Sequence, residues 1–275
     1  NELSPDLILL NSAQGKIVRS LCLRLFFDKT EIVGIHHNPE NLYTSFTQKL
    51  IHLKIKKYFV LADFIKKHLT KKLSPFVSVE SLYPVYYPEA KTIAVDETKK
   101  YICIPGVLEQ DRRDYIGLVR MVAESKNQLS PNIKFVLLGN ASTHNGPQIR
   151  SLIQEYKIDD RFILFDHYVD DEILFSYIKS ALALMPLLDP GTSWFDKYSE
   201  PKLTGCYSLA FAFQKPLLMN EVFKDKEEFS GKGVFYSAQN FPFAVKTIEN
   251  CHLNLKDSKF DLQFQKKKVL RFLKN

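Results

Sequence analysis

Short apolar runs, rich in β-branched and aromatic residues, alternate along this chain with longer stretches of helical periodicity. Asp6–Leu10 (DLILL) reads as a buried strand, Ile17–Phe27 as a helix, Glu31–Ile35 as a strand and Leu42–Ile55 as a helix. Lys57–Leu61 is the next strand, Asp63–Leu69 a helix behind it and Val77–Leu82 a fourth strand. After a break the series resumes, with strands at Tyr101–Ile104, Lys134–Leu138, Phe162–Phe165, Ala183–Pro186, Pro216–Met219 and Val234–Tyr236. Helices are predicted between them at Tyr115–Lys126, Pro147–Tyr156, Asp170–Ser180 and Lys202–Phe213. The tail Phe241–Asn275 reads as helical, with a polar interruption near Asn254–Ser258. Apolar strands separated by helices of this kind predict parallel sheets built from βαβ crossovers.

The break lies between Tyr83 and Lys99, where Pro84 and Pro88 flank Tyr86 and Tyr87. Proline cannot continue a central strand and holds its predecessor extended, so this stretch reads as an interdomain linker. The organisation expected is α/β, two Rossmann-like doubly wound domains over residues 1–88 and 89–240, followed by a helical tail over 241–275. In open α/β sheets ligands bind outside the carboxyl ends of the strands, so the loops there are where chemistry is sought.

Composition narrows the class. The 275 residues are 45% hydrophobic and 25% charged, which excludes disordered, collagen-like and disulfide-scaffold chains. With only 10 glycines, a phosphate-binding turn has to be local. The net charge of +7 favours acidic partners. The basic runs Lys54–Lys57, Lys66–Lys72 and Lys266–Lys274 read as solvated helix faces, and no interleaved basic and aromatic stripe points to nucleic acid. Cys22, Cys103, Cys206 and Cys251 show neither zinc nor disulfide spacing, which fits a reducing, cytoplasmic compartment. No uncharged apolar run reaches membrane-spanning length, and the first residues lack a signal-peptide layout.

Five loops at strand ends carry candidate chemistry. Gly106 follows the strand at 101–104 and permits close backbone approach, with Arg112 and Arg113 near the start of the next helix. The same segment, with Asp111 and Asp114, is equally read as a self-neutralising surface loop. Gly139 and Asn140 open a polar loop that would line a nucleotide site or cap a helix. His167 and Tyr168 follow the strand at 162–165 and face either a base or ribose, or nothing but structure. The richest loop, Asp189–Gly205, holds the sole tryptophan, Tyr198 and Glu200, and leads into a helix start with Lys202, Thr204 and Gly205. Physically this is an anion-receiving helix N-terminus. His36 and His37 follow the strand at 31–35, where they would bind hydroxyls or move protons; neither has a partner at ligand spacing, so no metal is expected.

In order, IVGIHHNP, KYFVLADFIKKHL, VESLYPVYYP, IPGVLEQDRRDYIGLV, KFVLLGN, RFILFDHYVDDEILFSYIKSALALMPL and LAFAFQKPLL resemble segments of the GT-B glycosyltransferases, specifically the group 1, family 4-like nucleotide-sugar enzymes. The resemblance runs from Asp6 to Met219. It implies transfer of a sugar, expected to be a hexose, from a nucleoside-diphosphate donor such as a UDP- or GDP-sugar, with no cofactor and no bound metal. It places Arg113 at the donor diphosphate, Lys202, Thr204 and Gly205 at phosphate and sugar, Tyr168 at the base, and His36 (or His37, one position on) at the transferred sugar or acceptor. It also implies a first domain that lacks its opening strands, which fits a chain starting at Asn1 with a strand almost at once.

There is one departure. Retaining members carry two glutamates separated by seven residues; here Pro201 and Leu209 fall on those positions, with Glu200 beside the first. The function expected is synthesis of bacterial cell-surface polysaccharide on a glycan or lipid-linked acceptor. A basic first-domain face around Lys54, Lys66 and Lys72 would give peripheral contact with the anionic inner face of the plasma membrane. The alternative is a non-catalytic nucleotide- or polyanion-binding module on the same fold.

Overall fold

A computed structural model of the chain describes residues 5–87, 91–199, 203–250, 253 and 255–274. The chain divides into two compact units. Unit 1 comprises residues 1–84, 197–203 and 262–275, and unit 2 residues 85–196 and 204–261.

Unit 1 is a four-stranded parallel sheet, β1 (Leu7–Leu10), β2 (Glu31–Ile35), β3 (Lys57–Val60) and β4 (Ser78–Ser81), in that spatial order. Its helices are α1 (Gly15–Arg24), the short α2 (Asn41–Thr44), α3 (Phe46–Ile51) and α4 (Asp63–Thr70). Successive right-handed crossovers in one direction put these helices on the same face of the sheet. Along β3, Tyr58 turns to that face and its hydroxyl accepts from Gln48 Nε2 of α3 at 3.2 Å. Phe59 turns to the other, against Phe272 of the last helix, with ring centroids 5.0 Å apart. That alternation is why Ile32, Val33, Tyr58, Phe59 and Val60 are all buried.

The single helix expected over Leu42–Ile55 is two helices, because Ser45 is extended (φ −80°, ψ 125°) and breaks the hydrogen-bond ladder. The tail is divided as well. Helix α10 (Phe241–Asn250) belongs to unit 2, and α11 (Leu262–Lys274) returns to unit 1. There Gln265 Oε1 accepts from Tyr83 N at 3.1 Å, and Lys268 reaches Glu80 at 3.2 Å and Asp63 at 3.4 Å.

Unit 2 holds six parallel strands: β5 (Lys100–Pro105), β6 (Ile133–Asn140), β7 (Phe162–Phe165), β8 (Ala181–Leu184), β9 (Leu217–Asn220) and β10 (Gly233–Tyr236). Their spatial order is β10-β9-β8-β5-β6-β7. The chain winds outward from β5 to β7, then crosses back to place β8 on the other side of β5. This is the doubly wound Rossmann arrangement, and the order reverses between β5 and β8. Helices α5 (Tyr115–Glu124), α6 (Gly146–Glu155), α7 (Asp171–Ser180), α9 (Gly205–Ala212) and α10 flank the sheet, and the five-residue α8 (Phe195–Ser199) interrupts the long loop after β8. One continuous core links Ile102 and Ile104 of β5, Phe135 of β6, Tyr115 of α5 and Phe241 of α10.

Two boundaries differ from the sequence pattern. Strand β8 begins at Ala181, directly after α7, because Ala181 already has extended geometry. Helix α9 begins at Gly205 and not at Lys202, because Thr204 is extended and serves as its N-cap. The stretch expected as a linker is anchored in unit 2 from Val85 onward: Tyr87 packs on Phe175 and Phe213, and Ile93 N donates to Ser176 Oγ at 2.9 Å.

Candidate functional site

The reversal point of unit 2 brings the loops after β5, β6 and β8 and the start of α9 to the carboxyl edge of one sheet. The loop after β5 is folded tightly down. Gly106 has φ +117°, and a Cβ there would stand 2.9 Å from Arg113 Nη2. A Cβ on Gly139, at the end of β6, would stand 2.2 Å from Gly106 O. These two glycines therefore let the loop lie on β6 and let the Arg113 guanidinium lie on the turn. Arg113 Nη1 donates to Val107 O at 3.3 Å, and no carboxylate pairs with Arg113 among the described residues.

The neighbouring carboxylate is held elsewhere. Asp114 Oδ1 accepts from Gly117 N at 2.9 Å as the N-cap of α5, and from Gln110 Nε2 at 2.8 Å. Asp114 N donates to Leu187 O at 3.0 Å, tying this loop to the one after β8. Arg112, by contrast, is neutralised: Nη1 meets Glu109 Oε2 at 3.2 Å, and its guanidinium lies 5.1 Å from the Trp194 ring. Trp194 N in turn donates to Asp111 O at 3.1 Å. The self-neutralising reading of the loop thus describes Arg112, whereas Arg113 has no carboxylate partner among the described residues.

Thr204 caps α9, its hydroxyl accepting from Tyr207 N at 3.3 Å. Gly205 opens the helix, and among the described residues no atom outside its chain neighbours and its own helix lies within 4 Å of where a Cβ would sit. The Cys206 thiol is pushed up to about 12 by burial, and the charge of Arg113 pulls it the other way. Burial likewise pushes the Tyr115 hydroxyl up to about 12, again opposed by Arg113. One cation therefore acts on both the start of α5 and the first turn of α9. The first N–H groups of a helix have no intrahelical acceptor and carry partial positive charge. Helix N–H groups together with an arginine are the chemistry that holds phosphate-bearing anions.

The other expected residues divide by role. The loop after β6 is a scaffold: Asn140 Oδ1 accepts from Ser142 N at 2.8 Å, and Asn145 Oδ1 accepts from Gln110 N at 3.0 Å. His167 is exposed and Tyr168 is 79% exposed beyond β7, with buried Val169 anchoring the turn. Tyr198 is half-buried in α8. Lys202 and Glu200 lie outside the described residues. Asp189, not singled out from the sequence, bridges two loops by accepting from Gly191 N and Asn220 Nδ2, both at 2.8 Å. Only its place after a strand could have signalled it.

In unit 1, His36 ends β2 and is 1% exposed. Its Nδ1 accepts from Asn38 N at 3.3 Å, and its Nε2 is buried with no partner among the described residues. Burial pushes its imidazole down to about 4, so it is neutral at pH 7. His37 is exposed and its Nε2 lies 2.7 Å from Asn11 O, joining the loops after β1 and β2. His52, which the sequence reading passed over, is also pushed down to about 4, by burial and then by Lys56, and packs on Tyr58 at 5.3 Å.

Neither a family model nor a curated protein sequence matches the chain. Solved structures do. A sucrose-phosphate synthase from Thermosynechococcus elongatus superposes with a TM-score of 0.56 at 17% identity, over 98% of this chain and 69% of that one. A putative UDP-N-acetylglucosamine 2-epimerase from Listeria monocytogenes gives 0.62 at 11% identity, over 98% and 74%. A glycosyltransferase from Rickettsia africae gives 0.57 at 14%, over 98% and 72%. At these identities the likeness establishes the fold: the chain has the GT-B fold, with two Rossmann-like parallel sheets.

Proposed function

We propose that the chain is a glycosyltransferase that moves a sugar, a hexose by resemblance, from a nucleoside-diphosphate donor to a glycan or lipid-linked acceptor. The observation that carries this reading is Arg113, an arginine without a carboxylate partner among the described residues, laid on Gly106 and acting on the first turn of α9 at the strand-order reversal of unit 2. The donor diphosphate binds there. As the glycosidic bond breaks, negative charge grows on the leaving diphosphate, and Arg113 with the α9 N–H groups stabilises it where other enzymes use a metal ion. Lys202 adds a second cation. The exposed Tyr168 covers the base, and the acceptor is received by unit 1, with His37 as the histidine accessible at the end of β2.

A second reading has its own support. Leu209, which stands where retaining relatives carry a glutamate, is a buried apolar residue of α9. A module that binds the nucleotide without transferring the sugar has no need of that carboxylate.

Thermal denaturation with and without UDP and GDP tests the site. A shift of several degrees is expected with one of them, and Arg113→Ala should abolish it while leaving the unliganded melting temperature within about 2 °C, as for a half-exposed surface change. An unchanged shift in Arg113→Ala removes the assignment. Release of nucleoside diphosphate from a panel of nucleotide sugars then separates transfer from binding alone.

A further inference from the structure

From β5 through β8 and β9 to β10, the carboxyl edge of the unit 2 sheet ends in a row of polar groups that the diphosphate position leaves unused. Each of these neighbouring strands supplies one group. Asp114 stands before α5 in the loop after β5, Asp189 in the loop after β8, Asn220 at the end of β9 and Tyr236 at the end of β10. Asn220 and Tyr236 are direct partners in the strand register. Hydrogen bonds hold the row in place. Asn220 Nδ2 donates to Asp189 Oδ2 at 2.8 Å while its Oδ1 accepts from Val222 N at 3.1 Å, so the amide cannot turn over without losing both. Asp114 N donates to Leu187 O at 3.0 Å, joining the loop after β5 to the one after β8.

Two properties of the row point to a ligand. Asp114 and Asp189 meet only neutral N–H donors, and no cation pairs with either among the described residues. Asp114 is committed to its helix cap. Asp189 is half-buried and uses only Gly191 N and Asn220 Nδ2, so its carboxylate keeps acceptor positions to spare. The second property is an orphaned hydroxyl. Tyr207, in the first turn of α9, is 1% exposed, and its Oη is buried with no hydrogen-bond partner among the described residues. A buried hydroxyl is costly to leave unsatisfied. Its ring packs on Phe229 with centroids 4.8 Å apart. Burial, then Cys206 and Tyr236, hold this hydroxyl well above the ordinary tyrosine range. Tyr236, 3% exposed, is held up in the same way by burial and then by the charges of Asp189 and Asp114. Both tyrosines therefore keep their protons near neutrality, and the two carboxylates lie close enough to act on one of them.

Unpaired carboxylates beside protonated hydroxyls suit a ligand rich in O–H groups, which donate to the first and exchange hydrogen bonds with the second. They repel a ligand carboxylate. Under the reading above, Arg113 and the α9 N–H groups are committed to the diphosphate and cannot offset that repulsion. We propose that Asp114, Asp189, Asn220, Tyr207 and Tyr236 receive the hydroxyls of the donor's sugar, and that Asp189 restricts the donor to uncharged sugars and turns away uronates. The proposal rests on the nucleotide-sugar reading and adds to it the class of sugar.

Calorimetric titration of the full chain with UDP, UDP-glucose and UDP-glucuronate tests it. Where GDP is the nucleotide that shifts the melting temperature, GDP, GDP-mannose and GDP-mannuronate serve in the same way. The two sugars of each set differ only at C6, a hydroxymethyl group against a carboxylate. Each affinity is taken relative to that of the bare nucleotide on the same variant, so damage to the fold or to the diphosphate site does not pass for a change in sugar choice. The neutral donor should bind more tightly than the uronate by about tenfold or more, because like charges set against each other are strongly disfavoured. Asp189→Asn removes the charge and keeps the shape, and should narrow the gap to about threefold. Asp189→Ser, which gives up the Asn220 contact as well, should narrow it likewise. Equal affinity for the neutral and uronate donors in the unmodified chain would overturn the proposal, as would a gap that neither Asp189 variant alters. In both cases, nucleotide binding that Arg113→Ala abolishes would leave the diphosphate site standing. If neither bare nucleotide binds, the nucleotide reading falls and this proposal with it.

Discussion

Arg112 and Arg113 are adjacent and chemically identical, yet the fold holds them differently. What separates them is which neighbours are already committed: Glu109 and Trp194 hold Arg112, whereas the carboxylate nearest Arg113 in sequence, Asp114, is committed to capping α5. The arginine pair and its glycine were legible in the sequence, since a glycine after a strand and a cation before a helix follow from local chemistry. Which arginine meets Glu109 and Trp194 was not, because Trp194 comes from a loop some eighty residues away. The histidines of unit 1 make the same point with a testable consequence. His36 and His52 are both held near 4 in the folded chain, first of all by burial, against about 6.5 when unfolded. Below pH 6.5 the unfolded chain takes up protons that the folded one refuses. Stability is therefore complete above about pH 6.5 and falls as pH drops toward 4, where the folded histidines titrate too. The melting temperature should decline between pH 6.5 and 4.5, and His52→Asn should flatten that decline. Carboxylates such as Glu80 act in a lower range: burial alone would raise its pKa, but Lys66, Ser81 N–H and Lys268 together hold it below the usual value. A melting temperature constant from pH 7 to 4.5 would show that burial does not depress these histidines.

At the scale of elements, the strands buried on both sides were the most legible, because β3 and β6 present unbroken apolar runs. Helix interiors were less so. The two segments around Ser45 share one periodicity, and only the backbone at that serine divides them. The start of α9 moved from Lys202 to Gly205 because a capping threonine outweighs the polar periodicity before it. Caps also position the candidate site. Asp114 holds the N-terminus of α5 and the side chain of Gln110 at once, and its own N–H reaches Leu187 after β8. Asp114→Ala should cost about 1 kcal/mol, typical of a lost N-cap. In a domain of this size that lowers the melting temperature by roughly 2–4 °C. Nucleotide affinity should fall by more than stability alone accounts for, since the loop carrying Arg113 loses its anchor. Asp170→Ala supplies the control, because Asp170 caps α7 through Ile173 N and touches none of the β5 loop. Equal affinity losses in the two variants would argue against a positioning role for Asp114.

The molecule as a whole is threaded in a way that no local pattern announces. Unit 1 is discontinuous: its sheet is complete by Ser81, yet α11 comes from the far end of the chain to cover the Phe59 side. The partners that bring it there, Tyr83 with Gln265 and Glu80 with Lys268, lie more than 180 residues apart, beyond the reach of periodicity or propensity. Without α11, Phe59 would lose its cover, Tyr83 N–H its acceptor and Glu80 one of its two lysines. A half-buried carboxylate left with a single partner and a bared apolar sheet face both count against the folded state. Unit 2 has its own continuous core. Ending the chain at Asp261 should therefore lower the melting temperature of unit 1 and leave that of unit 2 unchanged, so that one transition in calorimetry becomes two or the lower of two moves down. A nucleotide-induced shift should persist in the shortened chain, because Gly106, Arg113 and the first turn of α9 all belong to unit 2. Adding a peptide of residues 262–275 should restore the lower transition, and a peptide carrying Lys268→Ala and Phe272→Ala should not. A shortened chain that melts as the full one does would show that α11 is an ornament on a sheet already stable without it.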